Sequence, residues 1–216
     1  MSNKCNLFGI NINTESIINK GGSLIAACYF NSWVNNSIVF FTFDKNLAAM
    51  QTLILDASQI EKKITRIAYE IYEEHAHEKE IVLAGVVDGG YALAQKLGKV
   101  LKKISPLNIT LLKININKKA PSGETAVSID KKENVSGKSI ILVDDVLNTG
   151  KVLSYGMKIF LQSPVKSIRV AVLVDRNHAM FPIKADYSGI SIATTLQEHI
   201  IVNLETKGEE AVLLKD

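Results

Sequence analysis

From residue 50 onward the apolar positions fall into two alternating rhythms. Ile60, Ile64, Ile67 and Ile71 recur three and four apart, which puts them on one face of a helix. The tetrapeptide DASQ at 56–59 opens that helix, with Asp56 as N-cap and Gln59 reaching back in a capping box. The pattern runs to about residue 75. IVLAGVV (81–87) is then short, β-branched and apolar throughout, as a strand buried on both faces of a parallel sheet would be. Asp88, Gly89 and Gly90 break it, and YALAQKLGKVLKK predicts a second helix. Residues 107–114 predict another strand, 139–143 a third, 150–161 a helix and 167–174 a strand, with an extended segment over 190–204. Strands alternating with helices imply an α/β fold with a mostly parallel sheet.

Two stretches stand apart. Residues 115–137 are polar and carry Lys118, Lys119, Pro121, Ser122, Gly123 and Glu124; a connection of that length is a functional lid or a disordered loop. The first 49 residues hold nine asparagines, no arginine and no sustained helical or strand period. LIAAC (24–28) resembles a lipoprotein cleavage site, but Asn19, Lys20, Gly21 and Gly22 precede it where an apolar signal core is required. Met50 looks like a natural start. The expected organisation is therefore an N-terminal extension, 1–49, mis-started or disordered, followed by one domain over 50–216.

Composition narrows the class. At 216 residues the chain can bury a substantial core, and no run approaches the roughly 18 apolar residues of a membrane span. A formal charge of +3 is a weak argument for a polyanion partner. Lysine supplies nearly all the positive charge, the arginines being Arg66, Arg169 and Arg176, few for a surface that reads nucleic acid. Cys5 and Cys28 give no disulfide framework, which fits a reducing cytoplasm.

The chemistry concentrates in SIILVDDVLNTGKVLSYG (139–156). In open α/β sheets, ligands lie beyond the carboxyl ends of the strands, and Asp144 and Asp145 occupy such an end. Adjacent carboxylates repel each other, so the pair suits a cation or sugar hydroxyls. Behind it, LNTGK enters a helix whose first amides form an anion site; Thr149 adds a hydroxyl, Gly150 close backbone approach and Lys151 a charge. A ribose 5-phosphate satisfies both features. A nucleotide P-loop does not: Asp145 stands where its first glycine belongs, and Val152 where a Ser or Thr must hold magnesium.

ILVDDVLNTGKV resembles the phosphoribosyl diphosphate (PRPP) motif of type I phosphoribosyltransferases. LDASQIEKKITRIAYEI, VDDVLNTG, AVLVDRNH and PIKADYSG together most resemble the PyrR family of bifunctional pyrimidine-operon regulators and uracil phosphoribosyltransferases. The resemblance implies the type I fold: a twisted, mostly parallel sheet flanked by helices, with a small hood and a flexible lid. It implies that Asp144 and Asp145 hold the ribose hydroxyls and favour positive charge at the ribose carbon. Val146, Leu147, Asn148, Thr149, Gly150, Lys151 and Val152 would cradle the 5-phosphate. GVVDGGY (85–91) falls at the pyrophosphate loop, so Val87, Asp88, Gly89 and Gly90 would meet the diphosphate, with a cis peptide between Val87 and Asp88. Asp175, Arg176, Tyr187 and Ser188 would surround the base, Tyr187 by stacking, with His178 at the same mouth.

The implied reaction is Mg²⁺-dependent transfer of ribose 5-phosphate from PRPP to a nucleobase, with Mg²⁺ held at Asp144 and Asp145 mostly through PRPP and water, in a cytoplasmic homo-oligomer, a dimer by family habit. Asn148 and Asp175 replace the Asp and Lys of purine enzymes, which favours uracil. Other departures are Val152 for Thr, Gly89 for the PyrR arginine and Asp88 for the purine-enzyme lysine. Two alternatives follow. An RNA-binding regulator is opposed by Ala179 and Ile190 at family-basic positions, though Lys184 is kept. A PRPP-binding module without turnover is allowed by Val152, Asp88 and Gly89.

Overall fold

The computed structural model describes residues 3–7, 10–20, 23–30, 37–44, 51–116, 127–130, 133–195, 197–206 and 208–215. The chain divides into two units, Met1–Gln51 and Thr52–Asp216. In the first, β1 (Asn3–Leu7), β2 (Ile10–Lys20), β3 (Ser23–Phe30) and β4 (Ser37–Asp44) form an antiparallel sheet in chain order. Sequence periodicity predicts no elements here. The register of β2 shifts between Thr14 and Ile17, and such an irregularity interrupts an alternating pattern.

The second unit begins with β5 (Gln51–Leu55), all but its first residue, and α1 (Ala57–His75). Asp56 caps α1 by accepting from the Gln59 amide, while the Gln59 side chain accepts from the Asp56 amide. Both halves of the predicted capping box are therefore present, and Ile60, Ile64, Ile67 and Ile71 form the buried stripe. There follow β6 (Glu80–Val86), α2 (Gly89–Ile104), β7 (Asn108–Ile116), β8 (Val127–Ile129), β9 (Ser139–Leu147), α3 (Lys151–Leu161), β10 (Ser167–Asp175), β11 (Tyr187–Ser191), β12 (His199–Asn203) and β13 (Ala211–Lys215).

Six strands form the main sheet in the order β11-β10-β9-β6-β7-β8, parallel except for β8. A smaller sheet, β12-β13-β5, places Leu55 and Val212 in the core that holds α1 and α2. Alternate residues of each central strand feed two cores. Ile141 and Val143 join Ile81, Leu83 and the apolar faces of α1 and α2, while Ile140 and Leu142 join Val82, Ala84 and the inner face of α3 at Leu153 and Phe160. Burial on both faces is why these strands read as unbroken apolar runs, and each fully buried Val, Leu, Ile or Phe contributes about 1.5–3 kcal/mol.

Two expectations need correction. The strand predicted to end at 143 continues through both acids to Leu147, because β10 pairs with it as far as Asp175 opposite Leu147. The polar segment starting at 115 yields its first two residues to β7, and 127–129 form β8. The proposed lid residues 118, 119 and 121–124 lie outside the described residues. Among the described residues no helix is long and apolar enough to cross a membrane.

Candidate active site

The strand order reverses between β6 and β9. From β6 the chain proceeds through α2, packed on one face, to β7 on one side; from β9 it proceeds through α3, packed on the other face, to β10 on the opposite side. The loops leaving these two neighbouring strands thus diverge and open a crevice at their carboxyl ends, where α/β folds bind ligands. Pairing of β9 with β6 stops at Val143 opposite Gly85. Asp144 and Asp145 come next, held on one side by β10 and facing the departing β6 chain on the other.

Asp144 is 6% exposed, and its Oδ1 accepts from the Asp145 amide at 3.1 Å. The Asp145 Oδ1 accepts from the Val146 amide at 2.9 Å. Val146 and Leu147 belong to the strand rather than to a phosphate cradle: Leu147 is buried in the α3-side core and its carbonyl accepts from the Arg176 amide. Asn148, Thr149 and Gly150 form the turn between β9 and α3. Gly150 is the N-cap of α3 with φ 78°, a left-handed conformation that suits glycine, and no side chain caps the helix. The Thr149 hydroxyl accepts weakly from the Lys151 amide at 3.3 Å. The first turn of α3, with Lys151 exposed beside it and Val152 half-buried, is thus available to an anion.

The Thr149 carbonyl accepts from the Met180 and Phe181 amides at 2.9 and 3.0 Å, so the β10–β11 loop fixes this turn. No sequence signal marks these two residues, since they act through backbone groups that every residue type carries. Across the crevice, the Val87 amide donates to the Ile114 carbonyl and the chain turns at Asp88. Among the described residues no peptide is cis. The expected cis bond at Val87–Asp88 is therefore absent, and Asp88 makes the turn with φ 70° and ψ −119°, an L-residue conformation costing about 1–3 kcal/mol. Gly90 allows α2 to lie close on β9: a methyl group there would be 2.7 Å from the Val143 carbonyl oxygen.

The four residues expected around the base are not brought together. Asp175 ends β10 at the crevice edge, its Oδ1 accepting from the Asn177 amide at 2.9 Å. Arg176 is buried, its guanidinium donating to the Thr194 hydroxyl and to the Thr195 and Glu198 carbonyls. It anchors the segment after β11 instead of facing a ligand. His178 joins that clamp, donating from Nε2 to the Thr194 carbonyl at 2.6 Å. Tyr187 lies opposite Ala171, in the middle of the sheet, 4% exposed. Its hydroxyl donates to Glu74 of α1, and burial with that carboxylate pushes its pKa well above the usual range. Ser188, beside it, uses its carbonyl to accept from Arg66. Parallel pairing sets Tyr187 four positions back from the strand end, too deep to stack on a base in the crevice. A separate groove of about 1080 Å³ between α1, α2 and the small sheet touches the crevice only through Asp88.

The sequence pattern of the phosphoribosyl transferase domain family matches residues 50–206. The chain is 32% identical over 166 residues to the bifunctional protein PyrR of Haemophilus ducreyi, covering 72% of this chain and 91% of that one. It is 35% identical over 180 residues to that of Citrifermentans bemidjiense, covering 77% and 99%. Among solved structures, a hypoxanthine-guanine phosphoribosyltransferase from Bacillus anthracis superposes with a TM-score of 0.62 at 20% identity, over 76% of this chain and 97% of that one. The hypoxanthine phosphoribosyltransferase of Trypanosoma cruzi gives 0.64 at 17% identity, over 76% and 97%.

Proposed function

Because the chain belongs to the phosphoribosyl transferase domain family and is a PyrR-like type I phosphoribosyltransferase, we propose that it transfers ribose 5-phosphate from PRPP to uracil, releasing pyrophosphate. The observation that carries this reading is the pairing, across one strand end, of two acids with an uncapped helix terminus. Asp144 accepts hydrogen bonds from the ribose hydroxyls. The amides from Asn148 to Val152 receive the 5-phosphate, with Thr149 and Lys151 beside them. As the bond to the leaving diphosphate lengthens, positive charge develops at the ribose carbon, and the neighbouring carboxylates stabilise it. The rest is positioning, which converts an encounter into an oriented reaction.

Two adjacent carboxylates supply the hard oxygen donors that Mg²⁺ prefers. Among the described residues no group of three or more His, Cys, Asp or Glu side chains converges on one point, so this donor set fits an ion carried largely on PRPP oxygens and water. When bound, it supplies charge neutralisation of the departing diphosphate. Uracil is favoured over a purine because Asn148, an exposed amide, cannot exchange a proton with a purine nitrogen.

The relatives named bifunctional, and one named pyrimidine operon regulatory protein in Lactococcus lactis, raise RNA binding as a second reading. The arginines argue against it. Arg66 is engaged by Glu70 and the Ser188 and Gly189 carbonyls, Arg169 by Glu74 and Asp186, and Arg176 by its clamp, which leaves exposed lysines such as Lys184 for phosphates. The test offers PRPP and Mg²⁺ with uracil, hypoxanthine, guanine, xanthine or orotate and measures pyrophosphate. Release with uracil alone supports the proposal. PRPP binding without release with any base points to a non-catalytic module, and a salt-sensitive shift of pyrimidine-leader RNA without turnover points to a regulator.

A further inference from the structure

The two acids do not sit alike. Asp144 lies against Gly90 and Asp145 against Gly89, successive residues of the first turn of α2. A methyl group on Gly90 would be 3.0 Å from Asp144 Oδ1, and one on Gly89 would be 2.2 Å from Asp145 Oδ2 and 2.6 Å from its Cγ. The second figure is below any real contact. No side chain fits at 89 while Asp145 stays where it is. The N-cap of this helix, Asp88, makes no side-chain capping bond, so the partial positive charge of the helix end offsets two carboxylates that would otherwise repel each other. Glycine at 89 thus does more than loosen a turn: it admits a carboxylate to the place where the resemblance puts pyrophosphate.

We propose that Gly89 is a positioning residue that seats the Asp145 carboxylate on the first turn of α2, where it competes with the diphosphate of PRPP and with product pyrophosphate. The inference rests on reading the crevice as a PRPP site. In the resting protein the Asp145 carboxylate stays on the first turn of α2, and it is displaced as the diphosphate enters. Its seated form weakens retention of free pyrophosphate, which lacks a ribose to compensate.

The test titrates inorganic pyrophosphate, without Mg²⁺ so that no metal bridges it to the acids, onto the full chain and onto Asp145→Ala, Gly89→Ala and the double variant, with PRPP and Mg²⁺ titrated onto the wild type in parallel. Removing the carboxylate, or displacing it with a methyl group, is expected to tighten pyrophosphate binding about tenfold. Since both changes remove one contact, the double variant is expected to bind no more tightly than Asp145→Ala. Unchanged or weaker binding by Asp145→Ala overturns the inference, as do effects that multiply in the double variant. Should Gly89→Ala fail to fold, Asp145→Ala against wild type decides alone. Wild-type protein that binds PRPP, with pyrophosphate affinity unmoved in the variants, sinks only this inference; wild-type protein that binds no PRPP sinks the underlying reading and the inference with it.

Discussion

Tyr187 illustrates how one side chain can match a motif and still do other work. Its aromatic ring invited stacking, yet its neighbours are Glu74 and His75 of α1, and Glu74 continues to Arg169 and Asp186. Tyr187→Phe is expected to destabilise the fold by about 1–2 kcal/mol, measured by urea unfolding, because it removes a charge-assisted hydrogen bond from the buried tyrosine to Glu74. The same variant should keep the KM for uracil, whereas a stacking or hydrogen-bonding role at the base would raise it. The acids were legible from the sequence because they adjoin the apolar run that buries their strand, so local order alone sets their place. Tyr187 was not, because its depth depends on which residue of β10 it faces, a fact of register between strands. Arg176 failed for a related reason: its partners lie near residues 194–198, at a distance no spacing rule reveals.

Among the elements, α1, α2 and the central strands were legible because helical and buried-strand periods differ, and both cores enforce them. The carboxyl end of β9 was misjudged by four residues, since polar side chains there remain in a ladder that β10 completes. The β1–β4 sheet escaped because its apolar runs follow no single period. Close approach of elements also went unseen. A methyl group on Gly189 would lie 2.5 Å from the Leu173 carbonyl oxygen, so β11 reaches β10 only with glycine there. Gly189→Ala is expected to cost about 1–3 kcal/mol, as overpacking does; a Tm equal to the wild type would show that the two strands can separate at no cost.

At the level of the molecule, acid stability follows from carboxylates with lowered pKa values. The Tyr187 hydroxyl holds Glu74 below its ordinary 4.5. Burial would raise Glu78, but bonds from His75, Ser139 and Lys166 outweigh it and leave it lowered. Lys96 and two backbone amides bring Glu210 to about 2. Groups of this kind stabilise the fold above their unfolded pKa and lose that contribution as the pH falls through the folded one. Tm is therefore expected to decline as the pH drops from about 5 towards 2, and Glu78→Gln to flatten the decline; an identical slope in that variant would remove Glu78 from the explanation. We further propose that residues 50–216 carry the transfer unaided, so a chain starting at Met50 is expected to release pyrophosphate as fast as the full one. The most direct test compares pyrophosphate release from PRPP, Mg²⁺ and uracil by the wild type and by Asp144→Asn, with unfolding curves confirming that both are folded. A loss of at least about 100-fold is expected, because a neutral amide cannot stabilise charge at the ribose carbon. Equal release by the two proteins would contradict the role given to the acids and to the crevice built around them.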